Sequence, residues 1–395
     1  MIIKIKMDIG VVGKPNVGKS TFFKALTMAD VRIENYPFTT IDANVGVGHA
    51  RVECACKRFE VTCSPRNSYC LGQNRFVPVK LIDVAGLVPG AHEGKGLGNK
   101  FLDDLIHADA LIHIIDISGG TDEKGDASEG YDPEEDIKFL EQEIDLWFSS
   151  ILKKNWGKIR SKVQYGGSDL IKELSKQLSG LKIIEHEIVE AIRHAALMDK
   201  TDWTDDDLYE FSTLLRKVSK PMVIAANKID LDENGNFERI KGGYDVTPVC
   251  SAAELALRNA SDSGFVEYIP GDGNFKIIKD MDEKQTRGLE FIRGILNKYG
   301  STGVQNSINK AVFDVLKMMV VYPVEDEHKL IDNRGNVLPD ALLMPENSTA
   351  VDLAYKIHTD IGERFIGAID CKTGRKIGRE HVLENGDVIS ILTRK

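Results

Sequence analysis

Gly13-Lys14-Pro15-Asn16-Val17-Gly18-Lys19-Ser20, followed by Thr21, is the stretch on which the fold turns. It comes after the short apolar run Ile9, Val11, Val12 and before a helical pattern that opens Thr21-Phe22-Phe23-Lys24-Ala25-Leu26. G-x-x-x-x-G-K-S between strand and helix is a phosphate-binding loop. Its glycines let the backbone curl round an anion, so that successive N–H groups and the positive end of the helix meet phosphate oxygens. Lys19 adds a charged donor at the β/γ-phosphates, and Ser20 offers a hydroxyl to Mg²⁺. Asn16 reads either as a turn residue that accepts an unusual backbone angle or as a ligand for K⁺, which would supply the charge of a missing arginine finger.

Working outward, Asn35-Tyr36-Pro37-Phe38-Thr39-Thr40 favours loop over helix. Thr40 is the candidate that closes over Mg²⁺ and the γ-phosphate as a switch. The strand-like run Phe76 to Ile82 leads into Asp83-Val84-Ala85-Gly86, an acid for Mg²⁺ and a glycine N–H for the γ-phosphate. The glycine-rich run from Leu87 to Gly98 has the mobility of a second switch. Leu87 stands where Ras-like enzymes carry their water-orienting glutamine, so hydrolysis must be arranged differently. His92 is a candidate for placing water, although a lone loop histidine is ordinarily a bystander.

Farther on, an apolar strand ends in Asn227-Lys228-Ile229-Asp230. Asp230 can accept from N1–H and N2–H₂ of guanine, while Asn227 meets the O6/N7 edge and Lys228 packs over the base. Adenine lacks that donor pair, which argues for GTP over ATP. Ser251-Ala252 follows another strand, where a main-chain N–H can reach the guanine O6. Each motif alone is weak; their order along one chain is not.

Apolar content of 42% and charged content of 28% over 395 residues describe ordinary globular domains, two or three of them. A net charge of −10 speaks against a uniformly basic nucleic-acid binder and gives no expectation of DNA. No run reaches about 18 apolar residues, and Met1 to Asp8 is too charged for a signal peptide, so the expected location is cytoplasmic, with no membrane partner. Cys54, Cys56, Cys63 and Cys70 cluster in sequence. They read either as Zn²⁺ ligands or as reduced thiols of an irregular loop, because C-x-C-x6-C-x6-C is not a standard ribbon spacing.

The expected fold is α/β: a phosphate-loop nucleotide domain with a mostly parallel sheet over 1–120 and 218–319, interrupted by helices over 121–217. Ile137, Leu140, Ile144 and Trp147, then Leu170, Leu174, Leu178 and Leu181, recur at helix spacing and predict an antiparallel helical pair. Residues 284–319 also read as helical. From 320 to 395 short strands surround a helix over 351–359, and Lys372, Arg375, Lys376 and Arg379 mark a basic hairpin that could touch phosphates or serve only solubility.

With these motifs in view, the chain resembles the YchF/Obg family of translation-factor-class GTPases, and most of all its archaeal YchF-related branch. The N-Y-P-F-T-T and D-V-A-G-L-V-P-G-A stretches are similar to that family's switches, and ordinary Ras-like proteins have neither. The resemblance implies that 121–217 is the family's helical domain and 320–395 its TGS domain, a β-grasp module of proteins that meet RNA. It implies that Leu87 replaces the catalytic glutamine and that Asn16 matches the asparagine of potassium-stimulated relatives. Obg-like ATPases in the family have a degraded guanine motif; this chain keeps Asn227-Lys228-Ile229-Asp230. The expectation is a slow, Mg²⁺-dependent GTPase that switches on a ribosomal or other RNA–protein partner, with an Obg-like ATPase or a nucleotide-stabilised RNA adaptor as the alternatives.

Overall fold

A computed structural model describes residues 7–28, 44–86, 98–197 and 202–394. The chain opens with β1 (Asp8–Val12), α1 (Lys19–Thr27), β2 (Val45–Glu53), α2 (Ala55–Arg58), β3 (Tyr69–Leu71), β4 (Asn74–Asp83), α3 (Gly98–His107) and β5 (Ala110–Asp116). Four helices follow, α4 (Glu134–Gly166), α5 (Leu170–Leu178), α6 (Glu185–His194) and α7 (Asp205–Ser219). The sheet resumes with β6 (Met222–Asn227), α8 (Asn236–Lys241), β7 (Val246–Pro248) and α9 (Ser251–Asp262). A small hairpin, β8 (Val266–Glu267) and β9 (Lys276–Ile277), leads to α10 (Glu283–Tyr299) and α11 (Val304–Asn309). The last part is β10 (Met318–Val324), β11 (Leu342–Pro345), α12 (Ala350–Ile357), α13 (Thr359–Glu363), β12 (Phe365–Asp370), β13 (Arg375–Ile377) and β14 (Val388–Thr393).

The first sheet runs β2-β4-β1-β5-β6-β7, with β3 added to β4. β4, β1, β5, β6 and β7 are mutually parallel, and β2 and β3 run antiparallel to β4. A parallel sheet is covered on both faces, which is why β5 is apolar almost throughout and buried at every position. Parallel order also brings the carboxyl ends of β1, β4, β5 and β6 to one edge. Gly13, Asp83, Asp116 and Asn227 lie there, in the crevice where open α/β sheets bind ligands.

The helical segment departs from the expected pair. The 33-residue α4 packs along α7, and the chain returns between them through two short helices, α5 and α6. Phe148, Leu152, Leu174, Ile188, Phe211 and Leu215 fill one shared core. Two local signals make the breaks. Lys182 takes a left-handed turn after α5 (φ 60°), and α7 starts at a capping box in which Thr204 accepts from Asp207 N. Residues 284–319 likewise are not one helix: Gly300 (φ 77°) ends α10, α11 passes into a π-helical turn over Lys310–Val315, and the chain is already in β10 at Met318.

The C-terminal sheet runs β11-β10-β14-β12-β13, with β10 and β14 parallel and α12 packed across it through Leu353 and Ala354. This is the β-grasp arrangement. Sequence periodicity missed β11 and β13, because Leu342-Leu343-Met344-Pro345 does not alternate and Arg375-Lys376-Ile377 is too short and polar to signal a strand.

Two histidines are sealed in the first sheet. Burial, reinforced by Arg258, holds His49 down at about 3, and burial, reinforced by Lys14, does the same to His113. Both stay neutral in the folded chain at pH values where an unfolded imidazole is charged. The unfolded chain therefore binds more protons, and stability falls as pH drops from about 6.5 towards about 3. Denaturant melts between pH 7.5 and pH 4.5 are expected to lose about 3 kcal/mol per pH unit from these two groups inside that window. His49→Phe is expected to remove about half of that slope.

Candidate nucleotide site

β1 delivers the chain to Gly13, and the loop then turns through Asn16 (φ 63°) and Gly18 (φ 93°) before α1 starts at Lys19. Gly18 is required twice over: its φ is left-handed, and a Cβ there would run into the Asn227 side chain. No side chain caps α1, so the N–H groups of its first turn remain available at the positive end of the helix. Phe22, Ala25 and Leu26 anchor the helix in the core and fix where that end points.

Asn227 braces the loop. Its Nδ2 donates to Val17 O at 2.7 Å, and its Oδ1 accepts from Ser251 N at 3.0 Å and Ser251 Oγ at 2.8 Å. The carboxamide is 3% exposed and ties the phosphate loop to β6 and to the start of α9. It is thus first a strut, and only its second amide hydrogen is left over for a base edge. Lys228 (φ 60°) sends Nζ to Asp116 Oδ2 at 2.7 Å. Asp116 in turn accepts from Ser118 N and Oγ and from Thr121 Oγ1. Asp230 sits in the turn Ile229–Leu231, which Ile229 N fastens to Val249 O at 3.1 Å. Burial first, and Asp230 beside it, push the Cys250 thiol up to about 12. Ser251 is buried and Ala252 exposed in the first turn of α9.

At the mouth of the loop Lys19 Nζ and Asp83 Oδ1 form an ion pair. The cation suited to phosphate and the carboxylate suited to Mg²⁺ therefore lie side by side, with the exposed Ser20 next to Lys19. A Cβ built on Gly86 would meet nothing within 4 Å, so its main chain is open to an incoming group. Thr40 and His92, and with them Leu87, lie outside the described residues.

Lys14 behaves unlike its neighbours. Its side chain turns away from the loop and is 5% exposed, with Nζ donating to Thr121 O at 2.9 Å and Asp136 Oδ1 at 2.8 Å and lying 4.0 Å from the centre of the Tyr131 ring. Tyr131 OH donates to the same Asp136 oxygen at 3.0 Å. Asn16 Nδ2 donates to Gly125 O at 2.9 Å, and Gly125 (φ 87°) packs against Pro15 O so closely that a side chain would not fit. Residues 119–131, rich in Gly, Asp and Ser, buttress the phosphate loop from behind. Asp116 and Asp136 are site residues that sequence reasoning missed. An acid closing a buried strand was a usable signal for Asp116, whereas nothing local marks Asp136. The four clustered cysteines stand at the opposite end of β4, about 30 Å from Asp83 by strand rise.

A phosphate loop, an acid-tipped parallel strand and an N-K-x-D strand end on one sheet edge define a P-loop GTP-binding protein. Family comparison agrees: residues 8–154 match the family described as 50S ribosome-binding GTPase, 225–326 the G4-motif domain of Obg-like GTPases of the YGR210-like type, and 335–393 the TGS domain. A GTP-binding protein of Methanocaldococcus jannaschii is 51% identical over 98% of both chains. The protein of Haemophilus ducreyi named ribosome-binding ATPase YchF is 32% identical over 96% of this chain and 97% of its own. A crystal structure of a GTP-binding protein from Pyrococcus horikoshii superposes with a TM-score of 0.78 at 40% identity, covering 98% of this chain and 100% of that one. The chain belongs to the YchF/Obg-like GTPase family.

Because Lys14 is held inside, Lys14→Met strands a buried carboxylate and is expected to destabilise the fold by about 3–5 kcal/mol. The double variant Lys14→Met with Asp136→Leu is expected to recover most of that loss in denaturant melts, as a structural pair requires. Asn227→Ala leaves Val17 O and Ser251 N unpaired. It is expected to cost about 1–3 kcal/mol and to weaken nucleotide binding at least tenfold by fluorescence titration.

Proposed function

We propose that this chain hydrolyses GTP to GDP and phosphate as a molecular switch, slowly when alone, on the ribosome or another RNA–protein partner. The observation that carries this reading is the Asn227 strut, which ties the phosphate loop to the end of β6, three residues before Asp230, and to the start of α9. In this reading the main chain from Gly13 to Thr21 cradles the phosphates and Lys19 reaches the β/γ-phosphates. Ser20, Asp83 and Thr40 would hold Mg²⁺, which would supply positive charge against the phosphates. The donor set fits a hard divalent ion, an oxygen hydroxyl and a carboxylate at the loop mouth. Asp230 reads guanine, and Ala252 supplies the N–H towards its O6, since the Ser251 N–H is already given to Asn227 Oδ1. Thr40 and Gly86 contact the γ-phosphate and let go after hydrolysis.

Asn16 is the proposed K⁺ ligand. Its amide nitrogen is already engaged by Gly125 O, so its oxygen is the end it can offer a cation. With leucine at position 87, His92 is the proposed water-placing side chain.

The domain division proposed is 1–120 with 218–319, the helical insertion 121–217 and the β-grasp module 320–395. Support for the ribosome comes from the name of the Haemophilus ducreyi relative and from the exposed Lys372, Arg375 and Lys376 on the β12–β13 hairpin. Among the described residues no helix is long and apolar enough to cross a membrane; a cytoplasmic location is part of the proposal.

A second reading, ATP hydrolysis, is favoured by relatives named ATPases, among them Obg-like ATPase 1 of chicken at 27% identity. Titration with GDP and ADP in Mg²⁺ and K⁺ separates the two. The expected result is a preference for GDP that Asp230→Ala lowers by at least a hundredfold while leaving ADP unchanged; a preference for ADP would overturn the guanine assignment. Lys19→Ala and Asp83→Ala are expected to abolish turnover. Co-sedimentation with ribosomes is expected with a non-hydrolysable GTP analogue and not with GDP; equal binding in both would favour an adaptor.

A further inference from the structure

β2 and β4 form a long antiparallel ladder from Val45↔Ile82 to Glu53↔Asn74, and its open end is closed by Cys54 N donating to Gln73 O at 2.8 Å. The chain between them makes the short helix α2, an extended stretch and β3, which pairs with β4. Four thiols from these separate pieces converge. Cys54 caps α2, Cys56 lies within it, Cys63 is on the extended stretch and Cys70 is in β3 opposite Arg75. All four Sγ atoms lie within 4.8 Å of one another, with Cys54–Cys63 and Cys56–Cys70 each at 4.0 Å. None is in a disulfide. A tetrahedron of sulfurs around Zn²⁺ at about 2.3 Å has edges of about 3.8 Å, so the cluster is already near that size.

A second observation points the same way. Arg75 is fully buried in the wall of this cluster. Its Nε donates to Cys54 Sγ at 3.4 Å, one Nη to Ser68 Oγ at 3.0 Å and the other to Leu338 O at 2.9 Å. Among the described residues no carboxylate bonds to it. A buried guanidinium needs a countercharge. Four thiolates around one Zn²⁺ carry a net −2, and a donor to a ligand sulfur is the usual support of such a site.

We propose that Cys54, Cys56, Cys63 and Cys70 bind one Zn²⁺ as a closed, structural tetrathiolate site that pins the C-terminal module to the G-domain sheet. Four protein ligands leave no open position, so the site holds structure and does no chemistry on a substrate. Soft thiolates select zinc over the Mg²⁺ of the nucleotide site. What the metal fastens is the 64–67 stretch between its last two ligands, which is stitched to the chain entering β11. Ser64 N donates to Val337 O at 2.9 Å, Arg66 pairs with Asp340 at 2.6 Å, and Asn67 exchanges two hydrogen bonds with Ala341. With Arg75 reaching Leu338, the knot and the module share one seam.

The test uses the full chain, purified from zinc-supplemented cells under reducing conditions without chelator or metal-affinity tag. Elemental analysis is expected to find one zinc per chain. Replacement by Co²⁺ is expected to give the sulfur-to-cobalt charge-transfer bands and intense d–d bands of a tetrahedral tetrathiolate. Four thiols should react slowly until chelator is added, and chelation should lower the melting temperature and open the 332–341 seam to protease. Cys63→Ser is expected to weaken zinc at least tenfold, and Cys371→Ser to leave it unchanged. Substoichiometric zinc with reactive thiols, two disulfides in place of metal, or bound iron would each overturn the proposal. The wild-type cobalt spectrum decides the matter even if a cysteine variant fails to fold.

Discussion

One carboxamide holds the nucleotide site together. Asn227 comes off β6 with its polar atoms buried, so both ends must find partners, and it finds them on two different loops. Val17 is in the phosphate loop and Ser251 at the start of α9. Parallel strand order puts these loops on the same sheet edge, and the strut then removes the remaining freedom between them. The cost of breaking a buried hydrogen-bond network makes this a rigid link.

The same edge is braced from the other side by the helical segment. Lys14 leaves the phosphate loop and ends on Asp136 in the first turn of α4, beneath the Tyr131 ring. Burial raises the Asp136 carboxyl against the opposing pull of Lys14, and among the described residues its Oδ2 has no hydrogen-bond partner. A buried ion pair of this kind defines geometry more than it adds stability. The phosphate loop is thus tied to the base of α4, which packs along α7.

β4 links two remote regions. Its carboxyl end presents Asp83 to Lys19, while its amino end carries Arg75 into the cysteine cluster and on to the carbonyl of Leu338. The ten-residue strand is paired with β2 along nearly its whole length, and with β3 and β1 at its two ends, which makes it a stiff connector. The β-grasp module is thus joined to the edge of the nucleotide sheet through β3, β4 and the loop between the cysteines, not only through the covalent connection at Met318.

The sequence by itself determined what is local. The phosphate loop, the acid after Ile82 and Asn227-Lys228-Ile229-Asp230 are legible because each is a short stretch whose backbone geometry and chemistry are set by adjacent residues. The buried run Ala110 to Asp116 and the helical stripe of α4 are legible for a related reason, since periodicity records which face is covered. Tertiary structure alone decided the contacts between distant stretches. Lys14 with Asp136, Asn16 with Gly125, Lys228 with Asp116 and Arg75 with Leu338 are separated by more than a hundred residues in each case. The return of α4 through two short helices and the polar strand β13 were hidden because backbone pairing and left-handed turns leave no apolar period to read. Four cysteines at an irregular spacing said little as a string; a hairpin, a helical turn and a third strand bring their sulfurs to one point.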